Sequence, residues 1–235
     1  MNPHLEFLLS TVYDGALALK HREDLEKSGL GKDIIRAHYI RSVPLDMIPR
    51  LLGFDIPAIK SALLFPFSSP AGGFMDHIRM KLFPTVVKVT RDGTTHWIAE
   101  EDLTPEDVKH ETMKYSQRKD SAQRLYFVRT CLREVLDGAA PLWLVEGEKK
   151  ALHVAQRGLP TIGFCGVEGW HVKGERRLLD DFAALRLRGR IIEVLPDGDY
   201  KTNPNVQRAV QHLGAALTAH GARPRVVLLP SESPR

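Results

Sequence analysis

The chain has only two cysteines in 235 residues, Cys131 and Cys165, and they stand far apart. That count excludes a disulfide framework and a thiolate zinc site, since both need more cysteines at close spacing. Long apolar runs are also missing. None approaches the ~20 residues of a membrane helix. The opening MNPHLEFLLSTVYDG lacks the basic start and small-residue cleavage site of a secretion signal. A cytoplasmic protein with no membrane association is expected. The ten histidines form no HExxH or HxH pair, so the sequence holds no ready-made histidine metal site. No GxxxxGK[ST] loop and no serine nucleophile elbow occur, which excludes a Walker-type NTPase and the hydrolases built on such an elbow.

What remains is the composition of an ordinary globular protein, 43% hydrophobic and 26% charged. The formal net charge is a mild +4, but its distribution is uneven. Residues 92–107 carry Asp92, Glu100, Glu101, Asp102, Glu106 and Asp107 and no lysine or arginine. Residues 109–133 carry Lys109, Lys114, Arg118, Lys119, Arg124, Arg129 and Arg133 against Glu111 and Asp120. Bases interleaved with Tyr115, Tyr126 and Phe127 suit a nucleic-acid backbone, and they equally suit a solvated face.

The last hundred residues alternate. PLWLVEG, PTIGFCG, RIIEVLP and PRVVLLP read as strands. Between them EKKALHVAQRG, ERRLLDDFAALRLRG and NPNVQRAVQHLGAALTAHG read as helices, the last with Asn203 as cap and Pro204 at its first position. Alternation with short connections predicts a four-stranded parallel sheet flanked by helices. Residues 1–137 are less regular and predict a mixed α+β basic subdomain. Residues 17–40 read as helices around a Ser28-Gly29-Leu30 turn. Residues 63–84 read as a hairpin turning at Gly72-Gly73, with further short strands at 93–98 and at LYFVR. The boundary is expected at Asp137-Gly138, giving domains 1–137 and 138–235.

Ligands of an open α/β sheet gather at the carboxyl ends of its strands. Glu146 ends the first strand of the C-terminal half, and Asp197 and Asp199 follow the third. First and third strands are commonly neighbours, so the three acids are expected to converge. Carboxylates that share a small volume stay ionised only beside a cation, and hard oxygen ligands select Mg²⁺ or Mn²⁺. Singly, each acid is equally a salt-bridge partner or a turn residue. Gly163, Gly166 and Gly169 could frame a turn that a phosphate approaches, with His171 and Lys173 nearby, or simply a flexible loop.

WLVEGEKKAL followed by IIEVLPDGD resembles the TOPRIM domain of topoisomerases, primases and related nucleases, over roughly residues 140–230. Upstream, GGFMDHIRMKL and KYSQRKDSAQRLYF occupy the places of the basic subdomain of bacterial primases. DLEKSGLGKDIIRAHYIRSV, EGEKKA and GVEGW extend the similarity to TOPRIM-like (DUF3854-type) replication proteins of plasmids, phages and integrated elements. The resemblance implies a divalent-metal-dependent, primase-type nucleotidyltransferase that uses single-stranded DNA template and NTPs, with Mg²⁺ or Mn²⁺ as cofactor. Glu146 would be metal ligand or general acid/base, and Asp197 and Asp199 would hold the metal. Lys114, Arg118, Lys119 and Arg124 would bind template or NTP phosphates, joined by Arg79 and Lys81 on the hairpin, by Lys149 and Lys150, and by Lys173. A helicase would have to come from a separate protein or another segment. A Mg²⁺-dependent nuclease and a non-catalytic nucleic-acid-binding module are the alternatives. One departure stands out: cellular primases have an aspartate four residues after the glutamate, where this chain has Lys150.

Overall fold

A computed structural model describes residues 3–175 and 177–228. Within them the chain forms two compact units: residues 3–24, 38–67 and 74–121 in one, and 25–37, 68–73 and 122–228 in the other. The division is therefore not linear, and Asp137-Gly138, where the sequence suggests a boundary, lies inside the second unit.

The first unit starts with α1 (Pro3–Tyr13). Leu5, Leu8, Leu9 and Val12 recur at helical spacing and are all buried. They pack with Ile48, Leu51 and Leu52 of α4 (Met47–Leu52) and with Leu64, Ile78, Met80 and Leu82 of two strands. Each such side chain taken from water contributes about 1.5–3 kcal/mol. Strand β1 (Arg41–Val43) pairs antiparallel with β2 (Ser61–Ser68), and β2 lies beside the 18-residue β3 (Phe74–Arg91). β3 pairs antiparallel with both β4 (Thr94–Ala99) and β5 (Val108–Gln117). The β3–β4 hairpin turns on Asp92 and Gly93, whose φ of 51° and 73° fit a two-residue turn of the primed type. α2 (Leu19–Lys27) begins in this unit, while the expected turn, where Gly29 has φ 70°, and α3 (Lys32–Ala37) belong to the second.

The second unit holds β6 (Tyr126–Phe127), α5 (Leu132–Asp137), β7 (Leu142–Glu146), α6 (Glu148–Ala155), β8 (Thr161–Phe164), β9 (Ile191–Leu195), α7 (Pro204–Ala219) and β10 (Arg223–Val226). The sheet order is β10-β9-β7-β8-β6. The first four strands are parallel, as the alternation predicts, and β6 is antiparallel to β8. The end of the fourth expected strand, from residue 229, lies outside the described residues. α7 buries Val206, Ala209, Val210, Leu213 and Leu217, and Asn203 Oδ1 accepts from the Asn205 N–H at 3.1 Å to cap it. The buried Arg190 donates to the carbonyls of Ala140 (2.8 Å), Val135 (2.6 Å) and Glu134 (3.2 Å), fastening the end of α5 to the entrance of β9.

The helix expected over 175–189 does not form among the described residues, of which only Asp180–Ala184 make a short 3₁₀ turn. Buried Asp181 receives the Arg124 guanidinium and the Leu125 N–H (2.8 Å), and His171 bridges Leu178. These long-range bonds replace the helical ladder while Leu178, Leu179, Phe182 and Leu185 still reach the core.

Candidate active site

β7 lies between β8 and β9, so the chain reverses its winding direction at β7, and ligand crevices form at such a place. The register pairs Val145 with Leu195, which puts Glu146 at the end of one strand and the 197–199 loop just past the end of its neighbour. The two sequence motifs thus meet at one sheet edge although about fifty residues separate them.

Gly147 makes the turn from Glu146 into α6. Its φ of 87° and ψ of 148° belong to a region open essentially only to glycine, and its N–H donates to the Phe164 carbonyl at 2.8 Å. Glu148, which the sequence reading passed over, is buried and accepts from the Cys165 thiol at 3.2 Å. The only sequence signal for it is an acid beside a glycine, which charge patterning assigns to the surface.

Asp197 precedes the short 3₁₀ turn Gly198–Lys201 with extended backbone, and Asp199 lies within that turn. Asn203 Nδ2 donates to Asp199 Oδ2 at 2.8 Å while its own oxygen caps α7, so one side chain ties the acid to the helix start. Lys150 completes the group. Its ammonium is ion-paired with Asp197, both side chains being about half exposed. Burial lowers its pKa, and the carboxylates of Glu146 and Asp199 pull it back up. Lys150 is thus paired with Asp197 and lies in the field of Glu146 and Asp199.

No group of three or more His, Cys, Asp or Glu side chains is gathered closely enough to enclose a metal ion, among the described residues. The donor types nevertheless suit a hard divalent cation: Glu146, Asp197 and Asp199 offer carboxylate oxygens, and Lys150 already pairs with one of them. In chemistry, though not in their present spacing, the three carboxylates fit Mg²⁺ or Mn²⁺.

The expected phosphate-binding bases divide. Lys114 and Lys119 are exposed on and just after β5, and Arg118 is partly buried, its Nη1 without a hydrogen-bond partner among the described residues. Arg79 lies over the Tyr115 ring, 4.8 Å from its centre. Lys81 is buried, ion-paired with Asp24 and stacked on Phe83 at 4.8 Å. It serves the interior of the first unit rather than a surface. Lys149 donates to Ser28 Oγ at 2.8 Å. In the second unit Arg124 and Lys173 line one pocket of about 340 Å³ with Gln123, Arg177 and Asp180. Arg124 there makes a bidentate pair with Asp181, at 2.9 Å from Nε and 2.6 Å from Nη2.

No helix among the described residues is long and apolar enough to cross a membrane. No curated protein matches the sequence. Residues 132–235 match the family described as "Domain of unknown function (DUF3854)". The Aquifex aeolicus primase, in a structure of its zinc-binding and RNA polymerase domains, is similar over 98% of this chain with a TM-score of 0.63 and 12% identity. A structure of the DnaG catalytic core is similar over 98% of this chain with a TM-score of 0.60 and 16% identity. The chain spans 55% of the Aquifex structure and 72% of the DnaG core. The chain therefore has the fold of primase catalytic cores.

Proposed function

We propose that this chain is a primase-like nucleotidyltransferase core that joins nucleotides on single-stranded DNA, in the replication of a plasmid, phage or other mobile element. The observation that carries the reading is the meeting of Glu146 with the Asp197–Asp199 loop at the carboxyl ends of adjacent parallel strands. Asp197, Asp199 and Glu146 would hold Mg²⁺ or Mn²⁺, whose part in phosphoryl transfer is to neutralise charge on triphosphate oxygens. The chain's own residues position and orient. Asn203 keeps Asp199 turned toward the site, and the Gly147 turn sets the direction of Glu146. Lys114 and Lys119 provide exposed positive charge for a nucleic-acid backbone, and the Lys173 pocket could take phosphate. A replicative helicase would act as a separate partner.

The test is incubation of the purified chain with single-stranded DNA, labelled NTPs or dNTPs, and Mg²⁺ or Mn²⁺, scored for both extension and degradation. Extension that disappears in Asp197→Asn and Asp199→Asn, with circular dichroism unchanged, is the expected result. Degradation alone would make the protein a TOPRIM nuclease. The resident ammonium at the acids favours a second reading, a nucleic-acid-binding module without catalysis. DNA binding that is unaffected by chelator and by Asp197→Asn, with no synthesis, would establish it.

A further inference from the structure

We infer that Lys150 is a built-in counter-cation of the acid site, which a divalent ion must displace in order to bind. The inference rests on the metal-holding role proposed above for the three carboxylates. Two observations carry it. The Lys150 ammonium is ion-paired with Asp197 and feels the charges of Glu146 and Asp199, so one amine serves all three acids. The described acids are also not drawn close enough to enclose an ion by themselves, as expected of carboxylates arranged around an ammonium on a long side chain. A metal ion takes its oxygen ligands at about 2.0–2.1 Å. The acids must therefore close, and the amine must leave, before an ion is held.

The placement of Lys150 follows from helix geometry. Lys150 lies in the first turn of α6, which starts directly after the Gly147 turn that follows Glu146, so its side chain lies over that turn. Gly147 lies beneath it: a Cβ built there would meet Lys150 Cε at 3.7 Å. Lys149, its neighbour in sequence, points elsewhere and binds Ser28. The two lysines of EGEKKA therefore do different work, and Lys149 is an internal control for the loss of one positive charge.

The consequence is competition. With Lys150 in place part of the carboxylate charge is compensated without metal, and divalent-ion affinity is reduced by the ion pair with Asp197 that must be broken. An opposite charge within about 4–6 Å of a carboxylate changes its proton affinity by about 10–1000-fold, and a metal ion competes with the ammonium for the same oxygens. Lys150→Gln should therefore bind Mn²⁺ at least about tenfold more tightly than the natural chain.

The experiment is Mn²⁺ titration by electron paramagnetic resonance and calorimetry, without nucleotide or DNA, on the natural chain, Lys150→Gln, Lys149→Gln and the double variant Lys150→Gln/Asp197→Asn. Tighter binding in Lys150→Gln, none of it in Lys149→Gln, and its loss in the double variant are expected. Equal affinity in the natural chain and Lys150→Gln would overturn the inference, as would weaker binding in Lys150→Gln or no binding in either. The outcome is separable from the function proposed above. Tighter Mn²⁺ binding in a chain that makes no product removes the primase reading alone. Metal-dependent synthesis with unchanged Mn²⁺ affinity in Lys150→Gln removes the counter-cation alone.

Discussion

Acid should destabilise the first unit through one histidine. His21 is fully buried, with Nδ1 at 2.7 Å from Ser42 Oγ and Nε2 at 3.0 Å from Ser61 Oγ, and its ring packs on Phe83. Burial pushes its pKa from 6.5 down to about 4. Lys20 and Lys81 push the same way, and Asp24 opposes them. Between those two values the unfolded chain binds a proton that the folded chain refuses. The stability due to a neutral His21 is therefore complete above pH 6.5, falls as the pH drops through the window, and is gone below about pH 4. At 1.36 kcal/mol per pH unit the whole loss is about 3 kcal/mol. Urea denaturation followed by tryptophan fluorescence at pH 7, 6, 5 and 4 measures it, with His21→Gln as reference because that side chain keeps hydrogen-bonding capacity and does not titrate. Groups common to both proteins cancel in the difference. Stability curves that run parallel from pH 7 to 4, or an NMR titration of His21 near 6.5, would refute the reasoning.

Arg190→Met should lower stability by about 3 kcal/mol, because three carbonyls at the end of α5 lose a buried donor; a thermal midpoint within a degree of the natural chain would refute the clamp. Gly169→Ala should cost about 2–3 kcal/mol, since its Cβ would lie 2.1 Å from the Cys165 carbonyl oxygen, whereas Gly198→Ala, with nothing within 4 Å, should be silent in the same melt. Lys114→Ala with Lys119→Ala should weaken single-stranded DNA binding and reduce the slope of log K against log salt by about 1.4, at ~0.7 per lost phosphate contact. An unchanged slope would make that exposed strand a structural face only.

The sequence made the parallel sheet legible because each of its strands, and helices α6 and α7 between them, announces itself locally. That Glu146 and the 197–199 loop stand at the ends of parallel strands was legible for the same reason. What was hidden depends on partners far along the chain. The segment 175–189 has a helical apolar stripe, yet Arg124 and the Leu125 N–H, more than fifty residues upstream, claim Asp181 and hold it out of a helix. Lys81 counts as one more base in the sequence, but Asp24 draws it inside. β5 is exposed along most of its length, so VKHETMKYSQ shows a row of charges and no alternation to mark it as a strand. Lys150 reads as a surface lysine until the helix geometry returns it to the acids.

Helix α6 has duties on more than one side. Gln156 and Lys149 grip the turn at residues 28–31, through the Gly29 carbonyl, the Gly31 N–H and the Ser28 hydroxyl, while Lys150 reaches the carboxylates. A change in that distant loop, such as a bulkier residue at Gly29, where a Cβ would fall 2.7 Å from the His153 ring, would tilt the rod that carries the ammonium. Variation at 28–31 would then retune the electric field at the acids without touching any of them.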